Sequence, residues 1–312
     1  MKVVTLTVNP AVDKSTTVDR VVAESKLRCD IPKYEPGGGG INVSRAMKKL
    51  GYDSLCTYFS GGSVGEMLES LIDAEGVKQK VFQLKKQRTR ENFIVVNTTT
   101  NEQYRFGMPG PTLTKEELEE VEAYVESLDS ATTSFFVISG SVPVSVPNDF
   151  YAKLIRKVKS KGIKVICDSS GSIFENALAE GVFLIKPNIK ELYALAGREL
   201  TYGHEIENIA RQLINEGKCE LIVVSLGEKG AMLISKDNAY HAIPPATNKL
   251  STVGAGDSMV AGLLIGLLED LSLDEVIKRG VAAGTSATMN TGTGLCRPED
   301  YNALLKLIQV RD

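Results

Sequence analysis

From about Ser134 onward the chain alternates short, continuously apolar runs with longer amphipathic ones. SFFVISG, KVICDSS, FLIKPN and ELIVVSLG carry apolar residues at consecutive positions rather than at every second one. A strand of that kind is buried on both faces, which happens in a parallel sheet covered by helices on two sides. Between the runs, DFYAKLIRKVKSKG, KELYALAG and EIENIARQLINEG repeat apolar residues at helical spacing, with Gly closing the pattern. Strand, helix, strand, helix, joined by right-handed crossovers, predicts a three-layer α/β domain around a mostly parallel sheet. The opening KVVTLTV and the segment LCTYFS are expected in the same sheet.

Two stretches break this rhythm. TTVDRVV and LRCDIPKYE hold short polar-apolar alternations, and ENFIVVNTTTNEQYRF reads as a hairpin turning at NTTTN. Each is too thin for a core of its own, so the two are expected to join as one small β sheet. The division that follows is a core of 1–12, 37–90 and 107–312, and a discontinuous β lid of 13–36 and 91–106. Tyr104 and Phe106 fall on one face of the hairpin, Gln103 and Arg105 on the other. An apolar face on so small a sheet needs cover, from the main domain or from a second copy as a lid-mediated homodimer.

Composition excludes several function classes. The 312 residues carry Lys+Arg 36 against Asp+Glu 39, a net charge of -3, and no Trp, so neither a polyanion-binding surface nor a base-stacking platform is expected. Five scattered cysteines form no C-x-x-C, which fits reduced thiols in a cytoplasmic protein. Two histidines are too few for a His-rich metal site. The amino terminus reaches Pro10 and Asp13 too early for a signal-peptide core, and the apolar run around Leu263 to Leu268 is too short for a bilayer.

The chemistry-bearing segment is STVGAGDSMVAGLLIGLLE. Met259, Val260, Leu263, Leu264, Leu267 and Leu268 trace a broad helical stripe, so the helix is expected to be buried. Its first turn offers unpaired N–H groups and a positive dipole end, and Gly254, Ala255 and Gly256 let further amides converge into an anion hole. Asp257 beside that hole suits a base that takes a hydroxyl proton and aims the oxygen at phosphorus. Ordinary ionisation is expected to suffice, since an unperturbed Asp titrates near pH 4. Taken alone, Gly-x-Gly-Asp fits a plain first-turn acid equally well.

PGGGGINVSRAMKKLG also leads glycine into a helix. Gly37 to Gly40 have no packing value of their own and are read as room for a closely approaching ligand, with Asn42 adding a polar group. In KPNIKE, Asn188 and Glu191 have capping-box spacing; a site reading adds water on Mg²⁺ for Glu191 and nucleotide phosphates for Lys186 and Asn188. VVSLGEKGAM is a hairpin, or the strand end over which a nucleotide lies. Arg88, Arg90 and Arg105 are solvated charges or grips for a terminal phosphate. Neither G-x-x-x-x-G-K-[ST] nor a helix-opening G-x-G-x-x-G is present. Gly61-Gly62-Ser63-Val64-Gly65 matches the hydrolase elbow G-x-S-x-G, but only His204 and His241 could serve Ser63.

In this order, GGGGIN and STVGAGDSMVAG resemble the two signatures of the ribokinase-like (PfkB) family of sugar kinases, across essentially the whole chain. KLRC, TREN, EQYRFGMPG, ISGSVP, CDSSG, KPNIKE and VVSLGEKGA look most like its 6-phosphofructokinase branch. The resemblance implies a central sheet with a small β lid and ATP- and Mg²⁺-dependent phosphorylation of fructose 6-phosphate to fructose 1,6-bisphosphate. It casts Asp257 as base and Gly254 to Gly256 as anion hole. Asp13, Gly38, Gly39 and Asn42 resemble sugar contacts, and Arg28, Arg90, Arg105 and Ser139 residues around the sugar phosphate. Lys26 is expected to reach that site from a neighbouring subunit. Lys186, Asn188, Ser225, Gly227, Gly230 and Thr252 resemble ATP-binding positions, with Glu191 on the magnesium side. Ser251, Val253, Ala287, Asn290 and Gly292 are similar to a monovalent-cation loop that would take K⁺. The 1-phosphofructokinases and tagatose-6-phosphate kinases of the family carry Lys where Gly39 stands, and they are the alternative activity. A Ser63 hydrolase and a non-catalytic sugar-phosphate sensor are the remaining readings.

Overall fold

Each continuously apolar run becomes a strand with both faces covered: Phe135 to Ser139 and Val182 to Ile185 are buried without interruption. The computed structural model describes residues 1–197, 205–290 and 294–312. The chain opens with β1 (Val3–Thr7), β2 (Ala11–Val18), β3 (Lys33–Gly37), α1 (Gly39–Lys49), β4 (Leu55–Ser60), α2 (Gly62–Ala74) and β5 (Lys78–Gln83). Then come β6 (Arg90–Asn97), β7 (Gln103–Phe106), α3 (Lys115–Glu126), β8 (Phe135–Ser139), α4 (Phe150–Lys159), β9 (Lys164–Asp168), α5 (Ser172–Ala179) and β10 (Val182–Ile185). It continues with α6 (Ile189–Leu195), α7 (Glu205–Asn215), β11 (Cys219–Ser225), β12 (Ala231–Ile234) and β13 (Ala239–Ile243). The last elements are α8 (Ala255–Leu268), α9 (Leu273–Thr288), α10 (Pro298–Leu305) and β14 (Gln309–Arg311).

One sheet has the order β14-β13-β12-β11-β10-β9-β8-β1-β4-β5. Neighbours from β5 to β11 run parallel, and β12, β13 and β14 add an antiparallel edge. The chain first grows outward from β1 through β4 and β5, then returns to the other flank of β1 and grows through β8 to β11. Growth reverses between β1 and β8, and such a reversal opens a crevice at the carboxyl ends of the strands.

Two large cores sandwich the sheet. One joins it to α3, α4, α5, α6 and α7 through residues such as Phe82, Phe136, Leu154 and Ile185. The other joins it to α1, α8, α9 and α10 through Val43, Phe135, Leu184 and Leu264. The stripe expected on α8 proves too narrow, because Ser258 to Gly266 are buried on all sides. The cause is close packing on α9. A Cβ on Gly262 would collide with the Arg279 carbonyl, and one on Gly280 would fall 2.7 Å from the Leu263 side chain. No described helix is long and apolar enough to cross a membrane.

A second, four-stranded sheet has the order β3-β2-β6-β7, with β2 and β6 parallel. Its strands run a residue or two past the segments 13–36 and 91–106, starting at Ala11 and Arg90. Register sets Glu35, Asp13 and Asn92 abreast on one face, with Lys33, Ser15, Ile94 and Arg105 in the next row. On the opposite face Tyr34, Lys14, Phe93 and Phe106 form one row across all four strands.

Candidate active site

The glycine loop before α1 corrects the sequence reading that these residues only make room for a ligand. They are also needed for packing against the chain's own strands. A Cβ on Gly40 would lie 2.7 Å from Thr7 Oγ1 and 2.9 Å from the Leu6 carbonyl of β1, and one on Gly39 would collide with Ser139 Oγ at the end of β8. Gly38 adds a φ of 123°, which a side chain disfavours. The loop therefore wedges into the β1–β8 crevice, and α1 starts above it with Asn42 in its first turn.

From the opposite side α8 brings Asp257. Its N-cap Gly254 is left-handed, at φ 72°, and offers no side-chain cap, so the first amides of α8 keep no partner from that residue. Asp257 Oδ2 accepts a hydrogen bond from Asn42 Nδ2 at 2.9 Å, closing a contact across 215 residues. Lys186, at the end of β10, approaches Gly256 and pairs with Asp168 Oδ1 at 3.4 Å. Asp257 does not have the ordinary ionisation expected of it. Burial, followed by the nearby Asp168 carboxylate, pushes it up to about 6, although Asn42, Lys186 and Arg45 pull the other way. Burial draws the Lys186 ammonium down, but Asp168, Asp257 and Glu191 outweigh it and hold the group above the ordinary lysine value. The site thus keeps the buried Lys186 ammonium beside the Asp168 and Asp257 carboxyls.

The small sheet contributes Asp13, Asn92 and Arg90. Asp13 Oδ1 accepts from Asn92 Nδ2 at 2.8 Å, and burial leads the influences that raise its carboxyl. Arg90 Nη1 donates to the Met108 carbonyl at 2.8 Å and Nη2 to the Asn9 carbonyl at 3.1 Å, while its buried Nε has no partner. A guanidinium clamped by two carbonyls still has a second N–H on each terminal nitrogen to offer an anion. Arg105 lies in the adjacent row of the same face, engaged with Gln103 at 2.7 Å. Lys26 and Arg28 stand exposed on the loop between β2 and β3, away from these residues' hydrogen bonds.

Beside the first turn of α8 a cleft of about 610 Å³ is lined by Ser225, Gly227, Gly230, Thr252, Ala255, Gly256 and Thr288, among others. That volume is in the range of small-ligand sites. Gly230 has a structural demand of its own, since a Cβ there would collide with the Ala242 carbonyl of β13. Asn188 and Glu191 form a full capping box, Asn188 Oδ1 accepting from Glu191 N at 3.0 Å and Glu191 Oε2 from Asn188 N at 2.8 Å. Nearby, buried Asn290 donates through Nδ2 to the Ser286 and Leu295 carbonyls, and its Oδ1 has no partner. Ser251 Oγ accepts from Val253 N, and the Ala287 carbonyl accepts from Asn290 N. Gly292 and His204 lie outside the described residues.

Three polar residues of the site carried no role in the sequence reading: Asp168, Asn92 and Arg45. Each stands inside a quoted motif (CDSSG, TREN, NVSRA), and that placement was the available signal. The Ser63 elbow finds no base among the described residues. His241, on β13, binds the Lys229 carbonyl and lies seven strand positions from β4, about 34 Å at ~4.8 Å per strand.

A glycine wedge at a sheet's switch point, a helix mouth with an acid, and a separate small β sheet are the arrangement expected of a carbohydrate kinase. A model of the pfkB family of carbohydrate kinases matches residues 6–300, and the chain belongs to that family. Within it the chain is similar to the ATP-dependent 6-phosphofructokinase isozyme 2 of Escherichia coli, at 42% identity over 301 residues, 96% of either chain. It is 32% identical over 314 residues to a tagatose-6-phosphate kinase of Staphylococcus epidermidis, 99% of each chain. A crystal structure of phosphofructokinase-2 from Escherichia coli in complex with potassium superposes with a TM-score of 0.94 at 42% identity, covering 98% of both chains.

Proposed function

We propose that this protein transfers the terminal phosphoryl group of ATP to fructose 6-phosphate, forming fructose 1,6-bisphosphate. The observation that carries the reading is the Asn42–Asp257 contact at the mouth of α8. Asp257 takes the proton of the primary hydroxyl, and Asn42 holds one of its carboxylate oxygens so that the other faces the acceptor. Amides of Gly254, Ala255 and Gly256 offer donors to the migrating charge, and Lys186 adds a cation in a water-poor setting. ATP with Mg²⁺ supplies the electrophilic phosphoryl. Ser225, Gly227, Gly230, Thr252 and Asn188 would hold the nucleotide. Among the described residues no group of three or more His, Cys, Asp or Glu could hold a metal. This fits an ion kept mainly by phosphates and waters, with Glu191 contributing through water.

Arg90, Arg105, Ser139 and Arg28 would surround the sugar phosphate. Gly39, standing where the family's other branches carry Lys, favours fructose 6-phosphate; a side chain at 39 would also require the Ser139 strand end to withdraw. A coupled ADP-release assay across fructose 6-phosphate, fructose 1-phosphate and tagatose 6-phosphate tests the assignment. A preference for either of the last two would replace it.

The buried, unpartnered Asn290 Oδ1 suits a cation; the Ala287 carbonyl accepts from Asn290 N, and Ser251, whose Oγ accepts from Val253 N, donates its own N–H to the Thr288 carbonyl. K⁺ there would brace the loop that feeds α8. Exchange of K⁺ for a bulky organic cation should lower the melting temperature of the nucleotide-free protein as well as the rate; an unchanged melt would remove the site.

The row of half-buried Tyr34 and Lys14 with exposed Phe93 and Phe106 supports a homodimer through the lids, with Lys26 and Arg28 reaching toward the partner's sugar site. Phe93 and Phe106 are 36% and 50% exposed, and Ile31 on the neighbouring loop is 95% exposed.

A further inference from the structure

Behind the base sits a buried cation. Arg45 is 3% exposed and follows Asn42 by three residues on α1, so the two side chains share a helix face. Its Nε and Nη2 hold the Glu75 carboxylate at 2.9 and 2.6 Å. Nη1 donates both to the Pro36 carbonyl at 2.9 Å and to Asn42 Oδ1 at 3.1 Å. These acceptors come from three places: the cap of α2, the end of β3 just before the glycine loop, and α1.

A guanidinium has donors and no acceptor. The Asn42 atom facing Arg45 is therefore the oxygen, and the amide nitrogen is turned toward Asp257, where it donates to Oδ2. The two orientations of an asparagine amide are nearly the same shape and differ only in what they meet. Reversed, Asn42 would set its oxygen against the carboxylate and leave Arg45 facing an N–H₂ group.

We infer that Arg45 is a positioning residue for phosphoryl transfer, locking the Asn42 amide so that one oxygen of Asp257 is held and the other is aimed at the acceptor hydroxyl. The inference rests on Asp257 being the base. Because the same Nη1 grips Pro36, the root of the lid and the orientation of the base share one anchor. A lysine could not hold all three acceptors, since its ammonium lacks the planar fork.

Steady-state kinetics at saturating substrates on Arg45→Gln, Asn42→Ala and the double variant test this, with thermal melts to verify folding. The loss of one charge-assisted hydrogen bond predicts a kcat about tenfold lower for Arg45→Gln, with KM for ATP changed less than about twofold. Added to Asn42→Ala, the Arg45 substitution should lower kcat no further, since it acts through that amide. Glu75→Gln leaves Arg45 in place but loosens its anchor; it should lower kcat in the same direction, and it stands in if Arg45→Gln does not fold. Arg45→Lys should recover only part of the loss. Effects of Arg45→Gln and Asn42→Ala that multiply independently would overturn the inference, as would a raised KM at unchanged kcat. An Asp257→Asn variant with undiminished kcat would instead remove the base reading underneath it.

Discussion

Asp257 is a carboxyl made hard to ionise at a place where the proposed reaction needs it ionised. With the carboxyl pushed up to about 6 by burial and by Asp168, kcat should fall as pH drops through about 6. A rate that stays level down to pH 5 would contradict this environment. The sign for stability is the reverse of the usual carboxylate case. The unfolded chain ionises near the ordinary value of 3.8 and the folded one near 6, so the folded state binds more protons between those values, and stability is lost as pH rises through that window. Asp257→Asn should therefore cost catalysis roughly 10²–10⁴-fold. The same variant should stabilise the fold at pH 8 by on the order of 2–3 kcal/mol, a gain that vanishes near pH 4, as paired melts would reveal. At Arg90 the expectation concerns binding. Arg90→Ala should raise KM for the sugar phosphate at least about tenfold while KM for ATP changes little, the loss of a charge-assisted contact. Equal shifts in both would take Arg90 out of the sugar site.

At the scale of elements, α8 does two jobs that pull on its composition. Its first turn must stay open to the cleft, so it begins with Gly254, Ala255 and Gly256; its body must lie against α9 with almost no gap, so Gly262 and Gly280 sit where side chains would collide. Gly262→Ala weighs two effects. Helix propensity gains roughly 1 kcal/mol, while overpacking costs about 1–3 kcal/mol. The obstacle is a backbone carbonyl, that of Arg279, which cannot rotate away as a side chain would, so the net effect should be a loss. Calorimetry should show a melting temperature lower by several degrees, at about 2–4 °C per kcal/mol for a chain of this order; a higher one would mean that the two helices separate without strain. The helix itself was legible in the apolar run of 259–268. Its burial on every side was not, because periodicity records which faces are apolar and not what a stretch of glycine and alanine packs against.

For the whole molecule, the small sheet carries two unlike faces. One holds the proposed sugar contacts Asp13, Asn92 and Arg105, and the other leaves Phe93 and Phe106 exposed beside Lys14, whose ammonium lies 5.3 Å from the Phe93 ring centre. An apolar row of this kind on a four-stranded sheet fits a partner better than water. Phe93→Asp should convert a dimer to a monomer in size-exclusion chromatography with light scattering. It should also weaken sugar-phosphate binding if Lys26 and Arg28 serve the partner's site. A variant still dimeric, with native affinity, would send the interface elsewhere on the molecule.

Local chain chemistry was enough to specify the layers, the glycine-led starts of α1 and α8, the acid at the mouth of α8 and the two insertions that pair as a lid, because each depends on residues near one another in sequence. What it left open depends on distance folded away. Asn42 meets Asp257 across 215 positions, Asp168 raises a carboxyl it never neighbours in the chain, and Gly39 is required by Ser139 rather than by a ligand alone. Proximity between such residues is set by which strands flank β1 and how the helices stack on them. Dielectric, pKa and the choice of amide orientation follow from that proximity, so they were settled only when the three layers closed around the crevice.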